Sequence, residues 1–413
     1  MAYTDIDKPS DYFNTKLYTG TGSSLANTGV GFQPDLTWIK GRSGATEHVL
    51  TDSVRGVTKE LSSNDSGAEE TVAQGLTAFG SDGFTVGTDG SYNTSSATYA
   101  AWNWKAGTSF TNDSSATGIG SLDSTASVNT TSGFSIVKYT GAGGTQSVAH
   151  GLSSVPKFIL TKKYSGAAEG WGGYHSSLGN NQIIKLQTTD ATETNTAIWN
   201  ATTPTTSVFS IGADNRSNPD GETVIAYCFA EKKGYSKFGS YIANANVDGA
   251  FVYTGFKPAF LLIKNTSQAT DWIMYDNKRD GYEPQNKEFA TNSSAVEANA
   301  EDNNVQFCAN GFKSRNTGTK TNADSGNTLI YMCFAEQPFV TSTGVPATAR
   351  WWLRKMLPDS RQEEINILFK KIIHTLIIIN IILGSITIYD KFIYVPDTSI
   401  KTRYINALYP DEV

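Results

Sequence analysis

The sequence predicts an all-β protein built from tandem β-sandwich-like domains, followed by a C-terminal hydrophobic helical segment. Three observations predict it. Charged residues make up 17% of the chain, below the roughly 25% usual in globular proteins, and Gly, Ser, Thr and Asn take their place. Short apolar runs recur between Gly- and Asn-rich turn signals. Finally, two stretches more than two hundred residues apart carry the same residues in the same order. Gly31-Phe32-Gln33-Pro34 leads to Trp38-Ile39-Lys40, and Gly255-Phe256-Lys257-Pro258 leads to Leu262-Ile263-Lys264. Asp52-x-x-Arg55 then matches Asp276-x-x-Arg279. Leu61, Asn64 and Glu69 match Phe289, Asn292 and Glu297, and Gly83-Phe84 matches Gly311-Phe312.

Residues 1–106 form the first repeat. A divergent copy spans 133–234, where Gly151-Leu152 and Val155-Pro156 precede the run Phe158-Ile159-Leu160 and Lys162. It lacks the Asp-x-x-Arg pair and has Trp171-Gly172-Gly173-Tyr174-His175 nearby. The third copy spans 238–340. Each ends in an aromatic strand: Tyr99 to Trp104, Ile225 to Ala230 and Ile330 to Ala335. Each is about 100 residues, the size of one compact domain, so each is expected to own its core.

Residues 107–132, almost all Ser, Thr, Gly, Asn and Ala, read as a flexible linker or long surface loop, and 341–350 as a second linker. Within the repeats, Phe134 to Tyr139 alternates with period two. Phe158 to Leu160, Thr223 to Ala230 and Phe260 to Ile263 are continuous apolar runs of buried strands. No convincing amphipathic helix precedes residue 350.

Residues 351–413 change character. They hold 14 of the isoleucines, as many as residues 1–350 together. Ile372 to Tyr389 is eighteen residues without a formal charge, just long enough to span a bilayer. His374, Asn380, Ser385 and Thr387 weaken that reading. A buried helix or two strands are the other readings, and the shift at Trp351-Trp352 suggests an appended segment.

The net charge of −6 and the lack of a basic patch argue against a nucleic-acid partner. The N-terminus shows no charged region followed by an apolar core, so no secretory signal is expected. Three cysteines, an odd number, fit a reducing cytosol. Cys228 and Cys333 sit at the same place in two repeats, where small buried side chains are expected. Four scattered histidines show no metal-ligand spacing, so neither metal nor cofactor is expected.

No nucleophile motif, phosphate loop or calcium loop is present, and no catalytic residue is assigned. Adjacent carboxylates such as Glu69-Glu70 would point to opposite faces of a strand, unlike a glycosidase pair. The ligand-binding candidates are Asp52, Arg55, Asp276, Arg279 and Trp171. For the Asp–Arg pairs, the competing and favoured reading is a structural ion pair fixing the loop after a strand. Trp171, flanked by Gly170, Gly172 and Gly173, is the aromatic expected in an exposed loop, where it would stack on a sugar ring. Trp38 and Trp272 read as core.

With these motifs laid out, the chain resembles a domain of unknown function from virion-associated proteins of marine tailed phages. The resembling residues are Asp7-Lys8-Pro9-Ser10-Asp11-Tyr12-Phe13-Asn14-Thr15, Gly31 to Lys40, Asp52-Ser53-Val54-Arg55-Gly56, Gly83-Phe84, and the Cys-Phe-Ala-Glu strands at 228–231 and 333–336. The resemblance covers residues 1–350. It implies a non-enzymatic tail-fibre, head-fibre or decoration protein, assembled in the host cytoplasm. Its expected partners are other virion proteins, further copies of itself and host-surface glycans. The alternative is a membrane-anchored carbohydrate-binding surface protein, with membrane contact through 372–389.

Overall fold

A computed structural model describes residues 3–347. The expected C-terminal helical segment and the run 372–389 lie outside the described residues. Among the described residues, no helix is long and apolar enough to cross a membrane. The helices are single turns, Pro9–Asp11, Gly90–Asn93, Ser114–Thr117 and Glu301–Asn303.

Three six-stranded antiparallel sheets dominate, one per repeat. The first has the order Phe13–Thr19, Thr98–Trp104, Leu36–Gly41, Val49–Asp52, Lys59–Ser62, Glu70–Thr71. The third repeats this with Ser236–Ile242, Thr328–Pro338, Phe256–Asn265, Ile273–Asp276, Lys287–Ala290 and Ala298–Asn299. The second shares the first four positions of that order as Phe134–Thr140, Thr223–Ala230, Pro156–Lys163 and Gly172–His175. Register makes the correspondence exact at the pairs Leu36↔Trp104, Phe158↔Phe229 and Phe260↔Phe334.

A smaller sheet covers the outer face of each large one. In the first repeat it is Leu25–Thr28, Gly83–Val86 and Leu76–Gly80; in the third it is Phe251–Tyr253, Gly311–Ser314 and Val305–Cys308. In the second it is Gln146–Ala149 with Val208–Ile211. The result is three two-layer sandwiches. Gly83 is needed in the first: at φ 143°, a Cβ there would lie 1.9 Å from the Asn27 carbonyl oxygen.

The aromatic strands have both faces buried, which explains their continuous apolar character. Tyr99 and Ala101 enter the first repeat's own core with Ile39, Val49 and Phe84. Ala100, Trp102 and Trp104 point the other way, into a core shared by all three repeats. The expectation that each repeat owns its core is therefore only half met. Trp104, Phe229 and Phe334, equivalent in register, meet at the centre. Their ring centroids lie 6.4 Å (Trp104–Phe229), 5.9 Å (Phe229–Phe334) and 5.7 Å (Trp104–Phe334) apart. Three inner faces this apolar cannot be left in water, so the repeats close on one another around a pseudo-threefold axis.

The segment 107–132 differs from the expected linker. Thr108–Asn112 and Ser124–Asn129 pair as a hairpin, and the latter extends the second sheet by pairing with Phe134–Thr140. Ser and Thr suit a strand whose outer face is wet, so a composition that reads as linker also builds an edge. Asp35 of the first repeat anchors it, accepting from Ser127 Oγ at 3.2 Å and from the Ala106 amide at 2.8 Å. Beyond the third repeat, the Ser342 amide donates to Asp7 at 2.7 Å, bringing the two ends of the described chain together.

Candidate functional site

The Asp-x-x-Arg pairs begin with local geometry. Asp52 closes the strand Val49–Asp52, and its Oδ1 accepts the amides of Val54 at 3.0 Å and Arg55 at 2.9 Å. That turn brings the Arg55 guanidinium back onto Asp52 Oδ2 at 2.6 Å and onto the Leu50 carbonyl at 2.9 Å. The third repeat copies it: Asp276 Oδ1 accepts Lys278 and Arg279 amides at 2.9 and 3.0 Å, and Arg279 reaches Asp276 at 2.5 Å and the Met274 carbonyl at 2.9 Å. Glu69 and Glu297 complete the pairs, each 3.3 Å from the arginine. All four Asp and Arg side chains are fully buried.

Their outward contacts cross between repeats. Tyr227 of the second repeat donates its hydroxyl to Asp52 Oδ2 at 2.8 Å. Trp102 of the first donates its indole N–H to Asp276 Oδ2 at 3.0 Å. Tyr227 and Trp102 occupy equivalent positions, opposite Leu160 and Trp38. Each ion pair thus staples its repeat to the central strand of the next.

The third seam lacks such a donor, because the equivalent residue opposite Leu262 is Met332. A thioether cannot donate to a buried carboxylate. His175 stands where Asp52 and Asp276 stand, opposite Phe158. Its Nδ1 accepts the Ser177 amide at 3.1 Å, as the aspartate oxygens accept theirs, and its Nε2 donates to the Tyr331 carbonyl at 3.2 Å. An accepting Nδ1 and a donating Nε2 define a neutral imidazole with its proton on Nε2. Burial pushes its pKa down to about 4, opposed by that hydrogen bond.

Further polar groups follow the same symmetry. Lys40, Lys162 and Lys264 are equivalent and buried. Each donates to a carbonyl of a neighbouring repeat: Lys40 to Ser294 at 3.1 Å, Lys162 to Ser66 at 2.8 Å, Lys264 to Thr189 at 3.2 Å. Burial lowers all three to about 8, against the pull of nearby carboxylates. Backbone bonds close the same ring: Glu69 N–H to Tyr164 at 3.0 Å, Thr192 N–H to Thr266 at 3.1 Å and Glu297 N–H to Arg42 at 3.3 Å. Arg42 adds a two-point ion pair with Glu297 at 2.8 and 2.9 Å.

Within the ring, each buried arginine is matched by two carboxylates. Burial works against the Arg55 charge, but Asp52 beside it more than offsets this, and its pKa rises. Burial, then the Asp52 charge, holds the Tyr227 phenol well above its ordinary range. These groups are matched donors and acceptors in a dry seam, where an unmatched one would be costly.

Trp171 is not in an exposed loop. It is fully buried in the shared core, and its indole N–H donates to the Ser62 carbonyl at 2.9 Å. Its flanking glycines permit close approach rather than loop freedom: a Cβ on Gly173 would lie 2.7 Å from the Ile184 carbonyl oxygen. Trp272, its equivalent, donates to the Lys185 carbonyl at 2.9 Å, and both tryptophans enter the preceding repeat. Cys228 and Cys333 are buried free thiols.

Sequence reasoning passed over a second repeated device. Tyr18, Tyr139 and Tyr241 donate to the carbonyls of Tyr92, Ser217 and Thr321 at 2.7, 2.6 and 2.7 Å. The residue after each carbonyl is a buried asparagine, Asn93, Asn218 or Asn322, whose Oδ1 accepts an amide from the segment after the tyrosine strand. The recurrence of Tyr-Thr-Gly at 18–20 and 139–141 was the available signal.

Chemically, these groups hold repeats together and are closed to solvent. Among the described residues, no group of three or more His, Cys, Asp or Glu is placed to hold a metal ion. A small open pocket between the first and third repeats is lined by Thr15, Asn277 and Glu336 beside Phe13 and Ala259; Glu336 is paired with Lys257 at 2.7 Å. Comparison with curated proteins and with solved structures gives no match. Residues 8–338 match the model of a domain of unknown function, DUF7483, a span that takes in all three repeats, and the chain belongs to that family.

Proposed function

We propose that the chain is a non-enzymatic structural protein of a phage virion, of the tail-fibre, head-fibre or decoration type, with host-surface glycans as its ligands. The observation that carries this reading is the closed ring of three repeats. Its most reactive-looking groups, the Asp–Arg pairs, the buried lysines and His175, are all committed to seams between repeats. Such a unit is a rigid spacer whose outer surface is free for contacts. The resemblance of the opening segment and the Gly-Phe-x-Pro stretches to virion-associated proteins supports the assignment to a particle.

Immunogold electron microscopy of purified particles, with antibody against residues 1–345, tests it. Label on a fibre or tail tip is expected for receptor binding, and label on the head for decoration. Unlabelled particles with signal in host membranes would overturn it. That outcome would favour the second reading, a carbohydrate-binding surface protein anchored through Ile372 to Tyr389, whose uncharged length motivates it. Deleting 351–413 would then release the protein from the membrane fraction.

A further inference from the structure

The three repeats act as internal controls for one another. On the outermost strand of the small sheet, the first repeat has Ala26 and Thr28 facing solvent; in the second, Ser147 and Ala149 hold the same register positions, with Ala149 buried under the segment around Ser124. The third has Phe251 and Tyr253. Val252 between them is buried, while Phe251 is 47% and Tyr253 61% exposed. The scaffold is complete without these rings, since the first repeat leaves small residues exposed there. Large aromatics on an exposed edge strand carry a risk of aggregation, so their presence calls for a partner.

The rings are held in place. A Cβ on Gly311 would lie 2.9 Å from the tip of Phe251, and one on Gly255 would lie 3.5 Å from the Tyr253 hydroxyl, so both rings lie over bare glycine backbone. Alternate residues of one strand stand about 7 Å apart on the same face. Lys313 is directly opposite Phe251 and shares that face. Lys313 and Arg315 both contact one carboxylate, Asp248, at 2.6 and 3.0 Å. Two cations thus stand beside one exposed anion, on a chain whose net charge is −6; Glu283, at the far edge of the small sheet, is taken up by the Phe307 amide and Gln285.

We propose that Phe251 and Tyr253 form a saccharide-stacking platform, and that Lys313 and Arg315 select an acidic sugar. Pyranose rings present flat C–H faces that lie well on aromatic rings, and a uronate or sialic carboxylate complements the spare positive charge. This deepens the glycan-binding part of the proposed function and rests on it.

The test titrates the full-length protein with a short polyuronate and with a neutral glucan of the same length, followed by calorimetry. Binding of the polyuronate, weakening with added salt, is expected. Phe251→Ala and Tyr253→Ala should each lose about tenfold or more in affinity, while circular dichroism shows both variants folded at the titration temperature. Thr28→Ala, at the first repeat's equivalent of Tyr253, should change nothing. No binding, or equal binding by all variants, overturns the platform; so does glucan binding as tight as polyuronate, for the acidic selectivity. Sedimentation equilibrium gives a further overturning outcome: self-association abolished by Phe251→Ala would make the patch a contact between copies. Labelled particles without saccharide binding would sink this inference alone, whereas saccharide binding with unlabelled particles would sink the virion assignment alone.

Discussion

The Tyr227 hydroxyl donates to Oδ2 of Asp52 at 2.8 Å, between residues 175 positions apart in the chain. The same oxygen also takes the Arg55 guanidinium, so one carboxylate joins the turn of one repeat to the central strand of the next. Tyr227→Phe keeps the ring and removes the donor. It is expected to destabilise the protein by about 1–3 kcal/mol, the cost of leaving a buried acceptor short of a partner. Urea unfolding measures it, and an unchanged midpoint would show that the hydroxyl contributes nothing.

Cutting a whole ion pair should cost more. Asp276→Ala leaves Arg279 buried against Trp102 and Phe289, whose ring centroids lie 5.6 and 4.5 Å from its guanidinium carbon. About 3–5 kcal/mol is expected, and adding Arg279→Met should restore much of it by removing a buried guanidinium left with Glu297 alone, at 3.3 Å. Because the repeats share one core, residues 8–338 should unfold in one calorimetric transition in both proteins. Three resolved transitions would refute the closed ring.

The buried lysines set an alkaline signature. Lys264 has a folded pKa of about 8 against an ordinary 10.5. Between those values the unfolded chain holds more protons, so the lysine's contribution to stability rises with pH. It is complete above 10.5 and is lost as pH falls through 8. The stability difference between wild type and Lys264→Met should therefore shift in favour of wild type by about 1.4 kcal/mol per pH unit across that window. Using the difference cancels the phenols and thiols that titrate nearby. A flat difference would mean that Lys264 stays charged.

His175 gives the acidic counterpart. Its folded pKa of about 4 lies below the ordinary 6.5. Its contribution is therefore present above pH 6.5 and fades as pH falls toward 4, since the unfolded chain takes up the proton first. His175→Gln retains an acceptor and a donor but cannot titrate, so the wild-type-minus-variant difference should fall as pH drops from 6.5 toward 4, and a flat difference would mean that burial does not depress the imidazole. His175→Asp is expected to destabilise at neutral pH, because Met332 offers the new carboxylate no donor. Adding Met332→Trp and Leu178→Arg, which rebuilds the staple of the third repeat, should recover stability. Failure of that rescue would contradict the equivalence of the three seams.

The repeats were legible because each is a local pattern. Gly-Phe-x-Pro, the lysine at a strand end and Asp-x-x-Arg are short-range signals, and register later placed them at equivalent points. The all-β character followed from the same turns and apolar runs. Trp171 was misplaced because glycine neighbours signal both loop freedom and close packing, and only the nearby Ile184 carbonyl distinguishes them. The segment 107–132 was misread because Ser and Thr suit a loop and an edge strand alike. Phe251 and Tyr253 were invisible as a surface feature, since an aromatic on a strand is usually core.

Three repeated β units, their main apolar strands and their Asp–Arg pairs can be read from residue order alone. Their closure around Trp104, Phe229 and Phe334, and the reach of each pair to a different repeat, belong to the folded chain. The physical reason lies in the central strands. When both faces of a strand are buried, period-two alternation disappears, and nothing local tells which face meets its own sandwich and which meets a neighbour. That choice is made by long-range burial and donor–acceptor matching, where a methionine at one seam goes with a histidine in place of an aspartate.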